Sequence, residues 1–175
     1  MTTSTCPFCG SALAKTVGSY HYKASGLPYV WLEEVVIRTC PGCEEGGGVE
    51  IPDLAGLHTV LADYLIHQKV RFESFEIRFL RKALGWSSKD FAKKMGVAPE
   101  TVSRWEAGTL NMAESHDRVL RMYVAEEKPI ENYSIHDTEG LEEGRTKPHP
   151  PVRVQHHRDH WSRPMTPGVA APACC

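Results

Sequence analysis

Residues 77–108, IRFLRKALGWSSKDFAKKMGVAPETVSRWEAG, constrain the fold more than any other stretch, because three glycines and one proline interrupt an apolar pattern of helical period. Ile77, Leu80 and Leu84 mark one face of a first helix, which Gly85 ends. Ser87, with Asp90 three residues on, is an S-x-x-D start signal for a second helix. Phe91 and Met95 face the core of that helix, and Ala92 is small where the next helix crosses closely. Gly96 permits the positive φ of a tight turn, and Val97 is expected to plug the core beneath it. Pro99 belongs in the first turn of a third helix, where its missing N–H has no intrahelical partner. Val102 and Trp105 then point inward, and Glu100, Thr101, Ser103 and Arg104 point outward.

Two short helices joined by a tight turn, the second with a polar outer face, fit the major groove of double-stranded DNA. The charge distribution agrees. The whole chain carries −2, but residues 69–125 hold eleven Lys and Arg against seven Asp and Glu, a local +4. Arg104 is the principal base-reading candidate, because a guanidinium bonds guanine O6 and N7 together. Glu100, one turn earlier, either accepts from cytosine N4 or forms an i,i+4 ion pair with Arg104. Phosphate candidates are Ser87 and Ser88, through backbone N–H groups at a helix start, with Lys89, Lys93, Lys94 and Thr101.

Cys6-Pro-Phe-Cys9 and Cys40-Pro-Gly-Cys43 are two CPxC elements. Each spacing lets one tight turn aim two sulfurs at a single ion, and two such turns make a tetrahedral four-thiolate site that suits Zn²⁺. Four cysteines leave no open coordination position, so the zinc is expected to be structural and to stabilise a core poor in apolar residues. A thioredoxin-like dithiol needs a βαβ context that the sequence does not offer. His21 lies between the pairs and reads as a half-exposed strand residue. The thirty intervening residues fit a three-stranded meander.

The pattern is that of an α+β chain: a small β-rich zinc domain over residues 1–48, a connecting amphipathic helix within 49–72, an all-α helix-turn-helix domain over 73–127, and a disordered tail over 128–175. Gly46, Gly47 and Gly48 read as a flexible joint, and Leu54, Leu57, Leu61, Tyr64 and Leu65 as one helix face. The Pro-rich tail, with His149, His156, His157 and His160 and the exposed thiols Cys174 and Cys175, shows no periodicity. No apolar run reaches the roughly 20 residues that span a bilayer, and the expected location is cytoplasmic. No nucleophile–base pair or open metal site points to an enzyme.

The Ser-Arg-Trp-Glu-x-Gly sequence at 103–108 resembles the end of the recognition helix in Xre/Cro-like regulators. That resemblance implies a structural ion pair between Arg81 and Glu106, and base reading by Arg104. A four-cysteine module followed by such a domain resembles the YgiT-type zinc-finger proteins, whose known members are MqsA-type antitoxins, over residues 6–125. The resemblance implies zinc ligation by Cys6, Cys9, Cys40 and Cys43, a zinc domain that grips a ribonuclease-like toxin, and a homodimer that represses its own operon. The asparagine expected on the recognition helix is Glu100 here, so no operator sequence carries over. Apolar residues Val119, Leu120, Met122, Tyr123 and Val124 are the candidate dimer surface. A regulator with no toxin, or a zinc-dependent protein or RNA adaptor, are the alternatives.

Overall fold

The computed structural model describes residues 5–43, 45–128 and 130–163. The fold is α+β and divides into two compact units, one formed by the described residues of Met1–His21, Val30–Leu54 and Pro151–Cys175, the other by those of Tyr22–Tyr29 and Ala55–Pro150.

The first unit is a single sheet. β1 (Ala14–His21) and β3 (Gly47–Glu50) both lie antiparallel to β2 (Val30–Thr39), in the registers Thr16↔Ile37 and Ile37↔Val49. β4 (Val152–His157) runs parallel to the first half of β2, with Val30↔Val152 and Leu32↔Val154, and β5 (His160–Ser162) closes a hairpin with β4. Strand alternation places Val30, Leu32, Val152 and Val154 on one buried face. Trp161 is buried too, and its indole N–H donates to the carbonyls of Pro52 at 2.8 Å and Asp53 at 3.1 Å. His21 stacks on Trp31 with ring centroids 4.7 Å apart, a half-buried strand position.

Two expectations differ from this sheet. Gly47 and Gly48 are strand residues paired with Thr39 and Arg38, not a joint, because their main-chain groups complete the β2 ladder. Residues 130–163, expected to be disordered, are placed, and Val152, Val154 and Trp161 bury the apolar area that holds β4 and β5. Cys174 and Cys175 lie outside the described residues.

Among its described residues the second unit holds five α-helices, α1 (Leu54–Ile66), α2 (Ser74–Ala83), α3 (Ser88–Met95), α4 (Pro99–Ala107) and α5 (Glu114–Glu127). Ile77, Leu80, Phe91, Ala92, Met95, Val102, Trp105, Leu120 and Val124 form its buried centre. Val97 and Leu84 are only half-buried, since each follows the last turn of a helix. Leu57, Leu61 and Leu65 bury one side of α1, whereas Leu54 is exposed.

Charged side chains also enter this core. Arg121 and Asp117 on α5 are fully buried and paired at 2.6 Å. Arg121 donates to the carbonyls of Ile66 and Gln68, each at 2.7 Å, and of Val70 at 2.8 Å, while Asp117 accepts the N–H of Phe72 at 2.7 Å. Together they satisfy the last carbonyls of α1 and fix the turn that leads to α2. Glu76, at the start of α2, accepts from the Tyr29 hydroxyl at 2.8 Å and the Glu73 N–H at 2.9 Å. Burial pushes the Glu76 carboxyl above its ordinary range. His149 stacks on Tyr29 at 4.2 Å and reaches Glu73 at 2.9 Å, so this histidine is a packed residue rather than a solvated one.

Candidate nucleic-acid interface and metal centre

The geometry around α3 and α4 is set by local chemistry. Ser87 caps α3 by accepting the Asp90 N–H at 3.1 Å, and Asp90 returns a bond from the Ser87 N–H at 3.2 Å. The Ser87 hydroxyl, and then its N–H, hold the Asp90 carboxyl below its ordinary range. α3 ends at Gly96, whose φ of 66° is the left-handed conformation that a side chain would strain. Pro99 then starts α4, and Val102 and Trp105 anchor it in the core.

That anchoring decides what α4 presents outward. Glu100, Ser103 and Arg104 are exposed and Thr101 is half-exposed. Among the described residues Glu100 and Arg104 form no ion pair, with each other or with any other side chain. At the other end of α4, Glu106 receives a two-point contact from Arg81, Nε to Oε1 at 2.5 Å and Nη2 to Oε2 at 3.2 Å. Arg81 also donates to the Trp86 carbonyl at 2.8 Å, and Arg78 donates to the Glu106 carbonyl at 2.8 Å. These bonds tie α4 to α2 and fix the angle of its outer face.

The phosphate candidates separate into two groups. Ser88, Lys89 and Lys93 are exposed on α3. Lys94 is held elsewhere: its ammonium lies 4.5 Å over the Trp86 ring and 5.2 Å over that of Tyr123, with Glu127 at 4.0 Å. The hydroxyl and N–H of Ser87 are spent on Asp90. On α5, Leu120 and Val124 face the core, leaving Val119 exposed and Met122 and Tyr123 half-buried.

In the sheet unit, the sulfurs of Cys6, Cys9, Cys40 and Cys43 all lie within 4.8 Å of one another. The Cys6–Cys43, Cys9–Cys40 and Cys40–Cys43 separations are 3.5, 3.3 and 3.6 Å. A tetrahedral thiolate site with metal–sulfur bonds of about 2.3 Å has edges of about 3.8 Å, so the four sulfurs are spaced to hold one ion. Backbone amides of Phe8 and Cys9 face Cys6, that of Ser11 faces Cys9, that of Gly42 faces Cys40 at 3.4 Å and that of Gly46 faces Cys43. Such amides stabilise thiolates. The Ser11 hydroxyl pulls the Cys9 thiol down to about 6, whereas the adjoining Cys6 sulfur, followed by burial, pushes Cys43 up to about 12. Crowded thiols compete for ionisation, and a cation at their centre removes the competition.

The glycines of the second knuckle fit the same requirement. A Cβ on Gly46 would overlap Cys6 Sγ and lie 2.9 Å from Cys40 Cβ. Gly46→Ala is therefore expected to weaken metal affinity by roughly 10–100-fold, the usual effect of disturbing the shell around a metal's ligands. Chelator competition checks this, and unchanged affinity would show that the knuckle tolerates the added methyl group.

The fold and these sites define a four-cysteine sheet unit joined to a helix-turn-helix unit. Residues 77–112 match a family model described as Helix-turn-helix, so this segment is an Xre-like helix-turn-helix domain. No curated protein and no solved structure matches the chain. The family match supports a DNA-binding regulator, and the four cysteines are a cluster that can hold a metal ion. Among the described residues no helix is long and apolar enough to cross a membrane. The sequence did not reveal Arg121 and Asp117, which sit i,i+4 on α5 like a solvated ion pair. The only hint was their place among the apolar residues Leu120 and Val124.

Proposed function

We propose that the chain is a sequence-specific DNA-binding repressor whose four-cysteine unit carries a structural zinc ion. The observation that carries the DNA reading is the outer face of α4: Arg104 and Glu100 are exposed and, among the described residues, unpaired, while Val102 and Trp105 lock the helix beneath them. Arg104 reads a guanine, Glu100 reads a neighbouring base, and Ser88, Lys89, Lys93 and Thr101 meet phosphates. Zinc follows from four thiolates at tetrahedral spacing with no nitrogen or oxygen ligand among them.

Two copies on a two-fold operator fit the exposed Val119 on α5. The pairing of the two modules further supports an antitoxin that represses its own operon and binds a ribonuclease-like toxin through the zinc unit. Co-purification with the product of an adjacent ribonuclease-like gene tests that step.

A gel shift on the chain's own upstream region, repeated over several salt concentrations, tests the repressor. Specific binding is expected, with Arg104→Ala losing roughly 1–3 kcal/mol of discrimination at one base pair. Lys89→Ala or Lys93→Ala should weaken binding to all sequences alike and lower the salt slope by about one each. Binding indifferent to sequence would reject the repressor.

A further inference from the structure

We propose that a cleft in the helical unit binds a small monocarboxylate with an apolar body. The cleft encloses about 340 Å³, within the roughly 300–1,000 Å³ common for small-molecule sites. It lies between the start of α2, the end of α4 with the loop that follows, and residues 143–145. Its lining is mixed, with the buried apolar residues Ile77, Trp105 and Met112 and the 43% exposed Leu110 among polar groups. Arg71 and Arg145 line it too.

The two guanidinium groups point to the ligand's charge. The Arg145 side chain is only 13% exposed, yet among the described residues it makes no hydrogen bond, and its Nε is buried without a partner. The nearest carboxylate oxygens stand off, Glu73 at 3.9 Å and Glu76 at 3.7 Å. Both are committed to other donors, Glu73 to His149 at 2.9 Å and Glu76 to Tyr29 at 2.8 Å. One terminal nitrogen of Arg71 donates to the Met112 carbonyl, and the other lies 3.5 Å from Glu143, whose side chain is 93% exposed.

A buried guanidinium lacking acceptors is destabilising, and a planar fork is best satisfied by a carboxylate. A ligand carboxylate between Arg71 and Arg145 supplies those acceptors, and it displaces only the exposed and weakly held Glu143. With Glu143 displaced, Arg71, Arg145 and Glu73 are the charged side chains left lining the cleft, a net +1 that one carboxylate neutralises, which selects a monoanion over a phosphate ester. The ligand's apolar body then lies against Leu110 and the edges of Ile77, Trp105 and Met112. Trp105 adjoins Arg104 in the last turn of α4, so an occupied cleft bears on the DNA-reading face. That consequence rests on the DNA reading, whereas the ligand site does not.

Phenylacetate, titrated into the full-length protein and followed by amide and indole NMR signals, tests the site. Saturable shifts are expected at Ser74, Trp105, Leu110 and Asn111, with 2-phenylethanol binding at least about tenfold more weakly for want of the charge. Arg145→Gln should erase the difference between acid and alcohol. Leu110→Glu, at a position 43% exposed, should leave the amide dispersion of the fold in place and abolish acid binding by adding a carboxylate to the lining. Absence of saturable shifts, equal binding of acid and alcohol, or Leu110→Glu binding phenylacetate like wild type would each overturn the proposal.

Discussion

Arg121→Met is expected to cost the helical unit about 3–5 kcal/mol, the usual loss when one partner of a buried ion pair is removed. Methionine has similar length and fills the space, so a cavity contributes little. The loss comes from what remains. Asp117 stays fully buried with its charge uncompensated, and the carbonyls of Ile66, Gln68 and Val70 lose their donor. The Phe72 ring, 4.1 Å from the guanidinium, loses its cation as well. A unit of this size loses about 4–8 °C of melting temperature per kcal/mol, so thermal denaturation should show a fall of at least roughly 12 °C. Adding Asp117→Asn should recover part of the loss by removing the stranded charge while an amide oxygen still accepts from Phe72. If Arg121→Met melts within about 2 °C of wild type, the buried pair is not what joins α1 to α5.

The contrast between this pair and the helix-turn-helix shows which parts of the fold the sequence discloses. The turn at Gly96, the Ser87 and Asp90 cap and the first-turn Pro99 are local devices, each specified by residues within four positions of one another. The two CPxC turns are local as well, and ligand number and spacing bring them to one ion before any sheet is considered. By contrast, the parallel pairing of Val30 with Val152 joins strands more than a hundred residues apart. Its signal, Val152-x-Val154 followed by Trp161, is too short to outweigh the surrounding prolines and histidines. Arg121, Asp117 and Glu76 are hidden for another reason: binary patterning assigns charge to the surface, and only the tertiary partners reveal that these three are satisfied inside. Lys94 is the converse case at a surface position: the sequence marks it only as a basic residue on α3, and its contacts with the Trp86 and Tyr123 rings depend on tertiary neighbours.

A chain ended at residue 150 should bind zinc at least a hundredfold more weakly than one ended at residue 163, because it loses β4 and β5 while keeping every cysteine ligand. Val152, Val154 and Trp161 are buried to 5, 0 and 3% exposure. At roughly 1.5–3 kcal/mol for each large apolar side chain, they contribute an upper estimate of about 4.5–9 kcal/mol. Removing them also leaves the first half of β2 without its parallel neighbour, so the main-chain groups that β4 pairs from Val30 to Glu33 lose their partners. Folding and metal binding are coupled, so a loss in the folded sheet appears as a loss of zinc affinity. Each 1.4 kcal/mol is about tenfold, so about two thirds of the lower end of the estimate already reaches a hundredfold. A structural zinc site supplies about 10–16 kcal/mol, more than the truncation removes. The shortened chain should therefore fold its sheet only with metal present. Competition against a chromogenic chelator measures the ratio of affinities, and amide dispersion with and without EDTA reports the sheet. Equal zinc affinities for the two chains would mean that the knuckles fold independently of β4 and β5.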